Sequence, residues 1–258
     1  MAARDTAWPE GTPCWVDLGV ADVPEASAFY SKLFGWDVQA GPPETGGYSM
    51  CHLNGRAVAG IGPKMGPAGA PTMWMTHLAV TDADATAAKI EDAGGQLLVE
   101  PMDVMDLGRT VVATDAAGAV FGLWQARAFP GAMTVNEPGA MTWNEQMSHD
   151  FEGSKTFYAS VLGCEFADMS AGGFSYAAIK VDGREVGGVG AYPADVPAGT
   201  PASWSVYFGT ADTDASMAAA QGEGGSVVRP AMDSTYGRMG AVADSQGATF
   251  SLISITAR

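Results

Sequence analysis

Histidine and cysteine are scarce in this 258-residue chain, with only three of each. Cys14, Cys51 and Cys164 are far apart, odd in number and form no CxxC pair, which argues against a disulfide framework and a thiolate zinc site. His52, His77 and His149 show no ligand spacing either. Positive charge is short: 13 lysines and arginines stand against 29 aspartates and glutamates, a formal charge of -16. Such a surface repels phosphate backbones and anionic membrane faces, so neither nucleic acid nor membrane is an expected partner. Long apolar runs are absent too. No stretch approaches the roughly 20 residues of a membrane span, and the first residues hold no signal-like apolar segment. The expectation is a cytoplasmic protein in a reducing compartment.

What is present is a repeat. Trp15 and Trp143 lie 128 positions apart, and Phe29-Tyr30 with Gly35 returns at the same offset as Phe157-Tyr158 with Gly163. Asn54-Gly55-Arg56 returns as Asp182-Gly183-Arg184, and Trp74, Asp82 and Asp84 match Trp204, Asp212 and Asp214 at an offset of 130. Gly108-Arg109, Asp115, Gly118 and Phe121 match Gly237-Arg238, Asp244, Gly247 and Phe250 at 129. The linker is expected over 126–138, where Pro130-Gly131 and Pro138-Gly139 interrupt any periodicity. That divides the chain into domains at 1–134 and 135–258.

Within the first half, alternation over 13–20 predicts a strand, and Asp22 opens a helix carrying Ala26, Phe29, Tyr30, Leu33 and Phe34 at helical spacing. Asn54-Gly55 supplies the positive φ of a tight hairpin between strands at 48–53 and 57–61. The order then repeats: a strand from Met73 to Val80, a helix over about 82–93 ended by Gly94-Gly95, and strands near 96–100, 110–114 and 119–125. Each half is thus itself a doubled strand-helix-strands unit, an α+β fold.

The two βαβββ modules per half, the Asp22…Phe29-Tyr30…Gly35 pattern and the closing Asp115-x-x-Gly118-x-x-Phe121 resemble the vicinal oxygen chelate superfamily, which groups glyoxalases, bleomycin resistance proteins and extradiol dioxygenases. Trp15, Val58-Ala-Gly-Ile, Gly108-Arg109, Asn136-Glu-Pro-Gly and Trp143-Asn-Glu resemble the tandem glyoxalase-like proteins of actinobacteria more closely still. The resemblance implies a curved mixed sheet around a cleft in each half. It specifies fold rather than chemistry, because the superfamily spans isomerases, dioxygenases, thiol transferases and drug-sequestering proteins.

The resemblance also implies where metal ligands would stand. Those positions fall on Trp15, Met75 and Gly122 in the first half and on Trp143, Ser205 and Ser251 in the second. None of these is a competent ligand for a hard or borderline divalent ion. Glu185 is one acid near a possible fourth position, and a single carboxylate cannot build a site. The expectation is therefore no metal and no cofactor, with these six positions lining a small-molecule cleft.

Strand parity places Asp17 on the face of Trp15 and His77 on the face of Met75. Each lies five positions before a helix-opening aspartate, so the two occupy equivalent places in the two modules and should meet across one cavity. Glu145 and Tyr207 form the corresponding pair in the second half. An acid facing a proton donor or acceptor is minimal equipment for enolisation, epimerisation or elimination beside a carbonyl. It would equally orient an aromatic ligand that is only held. Gly108-Arg109 and Gly237-Arg238 read either as ligand clamps or as turns followed by solvated charges, while Trp74 and Trp204 should pack under the helices. The expected partner is a neutral or weakly charged, partly aromatic small molecule, with the chain a monomer of pseudo-dimeric halves or a homodimer.

Overall fold

A computed structural model describes residues 2–65 and 71–255. After a short β1 (Ala2–Ala3), the first half runs β2 (Pro13–Val20), α1 (Val23–Phe34), β3 (Asp37–Ala40), β4 (Ser49–Leu53), β5 (Arg56–Pro63), β6 (Met73–Ala79), α2 (Ala83–Asp92), β7 (Gln96–Val104), β8 (Gly108–Thr114) and β9 (Val120–Ala126). In the connection, β10 (Thr134–Val135) pairs with β1. The second half repeats the order as β11 (Met141–Ser148), α3 (Phe151–Leu162), β12 (Glu165–Asp168), β13 (Tyr176–Val181), β14 (Arg184–Ala191), β15 (Ser203–Thr210), α4 (Thr213–Gly222), β16 (Ser226–Ser234), β17 (Gly237–Ala243) and β18 (Thr249–Ser254).

Local chemistry sets these boundaries. Asp22, Asp82, Asp150 and Asp212 each cap a helix by accepting a backbone N–H three residues on, satisfying a donor the helix itself cannot. Asn54 (φ 51°) and Gly55 (φ 76°), like Asp182 (φ 49°) and Gly183 (φ 74°), form the left-handed turns that close the β4–β5 and β13–β14 hairpins.

Each half is one open eight-stranded sheet, ordered β3-β4-β5-β2-β6-β9-β8-β7 and β12-β13-β14-β11-β15-β18-β17-β16. At the centre the first strands of the two modules run antiparallel, β2 against β6 and β11 against β15, and each is flanked by a parallel partner. This crossover relates the modules by a pseudo-twofold.

The helices are shared between the halves. One core joins Phe29, Tyr30, Trp36 and Trp74 of the first half to Phe208, Met217, Phe250 and Leu252 of the second, and the other joins Ile90 and Phe121 to Phe157, Tyr158 and Ile179. In each core a fully buried tyrosine carries the seam. Tyr30 Oη donates to Asp244 Oδ2 at 2.9 Å and accepts from Trp74 Nε1 at 3.0 Å. Tyr158 Oη donates to Asp115 Oδ2 at 2.9 Å and accepts from Trp204 Nε1 at 2.8 Å. Trp74 and Trp204 do lie under the helices, and they also orient these hydroxyls. The aspartates are the ones that hold the Asp-x-x-Gly turns, through Oδ1 accepting from Ala117 and Ala119 or from Gln246 and Ala248. The repeated Phe-Tyr, Trp and Asp-x-x-Gly motifs are therefore one Trp–Tyr–Asp relay, built twice, with its aspartate always contributed by the other half.

Buried donors and acceptors left unpaired cost about 1–3 kcal/mol each. Tyr30→Phe or Tyr158→Phe orphans an indole N–H and removes a donor from a carboxylate, so each should lower stability in urea unfolding by about 1–3 kcal/mol. A loss below about 0.5 kcal/mol in both variants would show that the relay is incidental.

Candidate functional site

The opposite, concave face of each sheet carries the paired polar residues. In the first half the strand register sets one cross-sheet row, Trp15, His77, Gly122, Val112 and Val99, and beside it a second, Gly60, Asp17 and Met75. Asp17 Oδ2 lies 3.2 Å from His77 Nε2. That approach misses hydrogen-bond angles, and among the described residues the two buried ring nitrogens of His77, whose side chain is only 6% exposed, have no hydrogen-bond partner. Asp17 remains 21% exposed. An available carboxylate thus faces an uncommitted imidazole.

Tyr48 completes the group. Its hydroxyl accepts from Trp15 Nε1 at 2.9 Å and sits 3.5 Å from Asp17 Oδ2, donating to it. Burial first, and then the Asp17 charge, push this phenol far above its ordinary range, so it acts as an uncharged orienter. Its ring lies across Gly60 and Gly62, where any Cβ would overlap it. Gly122 plays the same part for His77, whose ring covers it. Gly122 thus makes room for the His77 ring in the row expected to line the cleft. Trp15 packs edge-on against Phe129 at 5.0 Å between ring centroids, and Phe129 against Trp124 at 6.0 Å. The connection between the halves therefore walls the first cleft.

In the second half the corresponding rows are Trp143, Tyr207, Ser251, Ala241 and Arg229, and Gly188, Glu145 and Ser205. Glu145 is tightly held: Tyr207 Oη donates to Oε1 at 2.6 Å and Tyr176 Oη to Oε2 at 2.8 Å, while Trp143 Nε1 donates to Tyr176 at 2.8 Å. Burial raises the Glu145 pKa above its usual 4.5, opposed by the two phenols and by the Arg229 charge. Ser251 is buried and Ser205 half-buried.

Both pairs inferred from strand parity are adjacent in space. Tyr48 and Tyr176 escaped that inference because each stands at or just before a strand start, yet a signal existed: both recur at the offset of 128, as do the room-making Gly60-x-Gly62 and Gly188-x-Gly190. Phe129 belongs to the connection, and Arg229 follows a bulge in β16 that shifts parity. Glu185 is exposed and outside the group. Arg109 and Arg238 are not clamps: each pairs bidentately with the aspartate at the start of a helix, Asp84 or Asp214, and with Asp103 or Asp233. A depression of 660 Å³ beside the start of α1, lined by Asp22, Pro24, Val38 and Pro63 among others, includes none of the paired residues.

The donors present do not suit a divalent ion. The positions where the sequence resemblance implies ligands hold indole, thioether, glycine and serine groups, and among the described residues no three His, Cys, Asp or Glu side chains are grouped to share an ion.

A model of the Glyoxalase/Bleomycin resistance protein/Dioxygenase superfamily matches residues 14–123 and again 140–252. CFP32 of Mycobacterium tuberculosis, whose name assigns it provisionally to the glyoxylases, is 41% identical over 256 residues, 97% of each chain. The anthracycline biosynthesis protein DnrV of Streptomyces peucetius is 32% identical over 264 residues, covering 97% of this chain and 95% of its own. Among solved structures, the Mn(II)-bound glyoxalase of Novosphingobium aromaticivorans superposes with a TM-score of 0.67 at 14% identity, covering 95% of this chain and 82% of that one. The 2,2',3-trihydroxybiphenyl 1,2-dioxygenase of Sphingomonas wittichii RW1 gives 0.63 at 14%, covering 96% and 91%. At that identity the likeness concerns the fold.

Glu145 binds its proton more tightly folded than unfolded, so the protonated form favours folding. The stability this contributes is present below the usual carboxylate value and is lost as pH rises through the raised one. The stability of wild type relative to Glu145→Gln should therefore fall across that window in denaturant titrations at stepped pH. A difference that is flat or rises with pH would contradict the assignment.

Proposed function

The chain belongs to the Glyoxalase/Bleomycin resistance protein/Dioxygenase superfamily, and within it we propose a metal-independent acid–base catalyst acting on a small, partly aromatic secondary metabolite in the first half. The observation that carries this reading is the Asp17–His77 pair, a carboxylate 21% exposed lying 3.2 Å from an imidazole that has no hydrogen-bond partner among the described residues. The Streptomyces relative named for anthracycline biosynthesis supports the ligand class.

The chemistry follows from the pair. Asp17 takes a proton from a carbon beside a carbonyl, and His77, protonated or as its neutral N–H tautomer, donates to the oxygen where enolate charge develops. Return of the proton to another face or atom completes an isomerisation, and departure of a β-substituent completes an elimination. Tyr48 holds the Asp17 carboxylate in place, and Trp15, Phe129 and Trp124 supply an apolar wall that favours charge transfer between fixed groups over exchange with water. Positioned acid–base groups contribute about 10²–10⁴-fold.

Incubation with a small-molecule extract of the source organism in deuterium oxide should introduce deuterium into one metabolite, unaffected by EDTA. Asp17→Asn should slow this by about 10²-fold or more with affinity within a few-fold. Activity abolished by chelation and restored by a divalent ion would overturn metal independence. Binding and thermal stability lost together in Asp17→Asn would make Asp17 a structural acceptor, and tight binding of the metabolite by wild type without exchange or turnover would make the protein a sequestering one.

A further inference from the structure

The register-matched rows of the two clefts differ in kind. Reading outward from the central strand pair, the first is Trp15, His77, Gly122, Val112, Val99 and the second Trp143, Tyr207, Ser251, Ala241, Arg229. The first ends in aliphatic groups, whereas the second turns to hydroxyls and ends in a guanidinium. We propose that the second half holds a separate, non-catalytic binding site for a planar aromatic molecule with a single acidic group, gripped by Arg229.

Three features carry this. Glu145 is unfit as a base, since each carboxylate oxygen already accepts a hydrogen bond from a phenol, at 2.6 and 2.8 Å. Arg229 acts electrostatically on Tyr207 and Glu145, so this row offers an anion a guanidinium on a chain whose net charge is -16. A planar body also has surfaces to meet. Phe174, 39% exposed, stacks on Tyr176 at 5.7 Å and an interplanar angle of 24°, and Met232, 54% exposed, pairs with Met239 beyond Arg229. An arginine offering paired N–H donors suits an aromatic carboxylate, and the thioethers farther along β16 and β17 can adapt to its outline. The first half has valine at the Arg229 place and cannot bind in this way.

Isothermal titration with 2-naphthoate, and with 2-naphthol as its uncharged counterpart, tests the site. Wild type should bind one 2-naphthoate per chain, and Arg229→Gln should weaken it about tenfold or more while 2-naphthol changes less than about twofold. Because Arg229 is exposed, an unchanged thermal midpoint checks the fold of the variant. Asp17→Asn should leave 2-naphthoate affinity unchanged whatever it does to turnover, which separates this site from the reading of the first half. Absence of binding to wild type, an Arg229→Gln affinity equal to wild type, or a loss of affinity in Asp17→Asn would each overturn the proposal.

Discussion

The hydrogen bond from a buried tyrosine in one half to the turn-holding aspartate of the other is the constraint on which the architecture depends. Asp115 and Asp244 each fix their own Asp-x-x-Gly turn through one carboxylate oxygen and meet the partner half's tyrosine through the other. A carboxylate this enclosed is tolerable only when its lone pairs are used, so each turn is satisfied only when both halves are docked. The aromatic cores close around the same contacts, which ties the helix side of each sheet to its counterpart.

That arrangement leaves the concave faces to diverge. Since the seam uses one side of each sheet and the clefts the other, substitutions in a cleft do not touch the relay. The outcome is visible in paired places: Asp17 with His77 against Glu145 with Tyr207, Val99 against Arg229, Trp124 against Ile253. A buried histidine whose ring nitrogens have no hydrogen-bond partner among the described residues, beside an aspartate that accepts one long bond from Tyr48, leaves the first pair uncommitted. Two short phenol hydrogen bonds make the second a settled network. The connection adds to the asymmetry, because Phe129 closes the first cleft.

Much of this was legible in the sequence. A repeat at a nearly constant offset marked two halves, helix-opening aspartates fixed the frame, and two-residue strand parity placed Asp17 with His77 and Glu145 with Tyr207, because regular central strands obey that period strictly. Legibility failed where regularity did. Tyr48 and Tyr176 enter the clefts from strand starts, Phe129 from the connection, and Arg229 after a bulge. Arg109 and Arg238, whose alternation said little about direction, turn outward to helix-start aspartates. Nor could parity tell that Gly122 yields its space to the His77 ring, since a missing side chain carries no sign of what fills it.

The most direct measurement follows the imidazole NMR resonances of His52, His77 and His149 while the metabolite that exchanges deuterium is titrated in. His149 bonds the Pro197 carbonyl beside Tyr192, and His52 stands on β4 opposite Asp37, so neither belongs to the Asp17 pair. The ring signals of His77 alone should shift, and the shift should saturate at one metabolite per chain. Saturation of binding with His77 unmoved, or with His149 responding in its place, would contradict a reacting centre at Asp17 and His77.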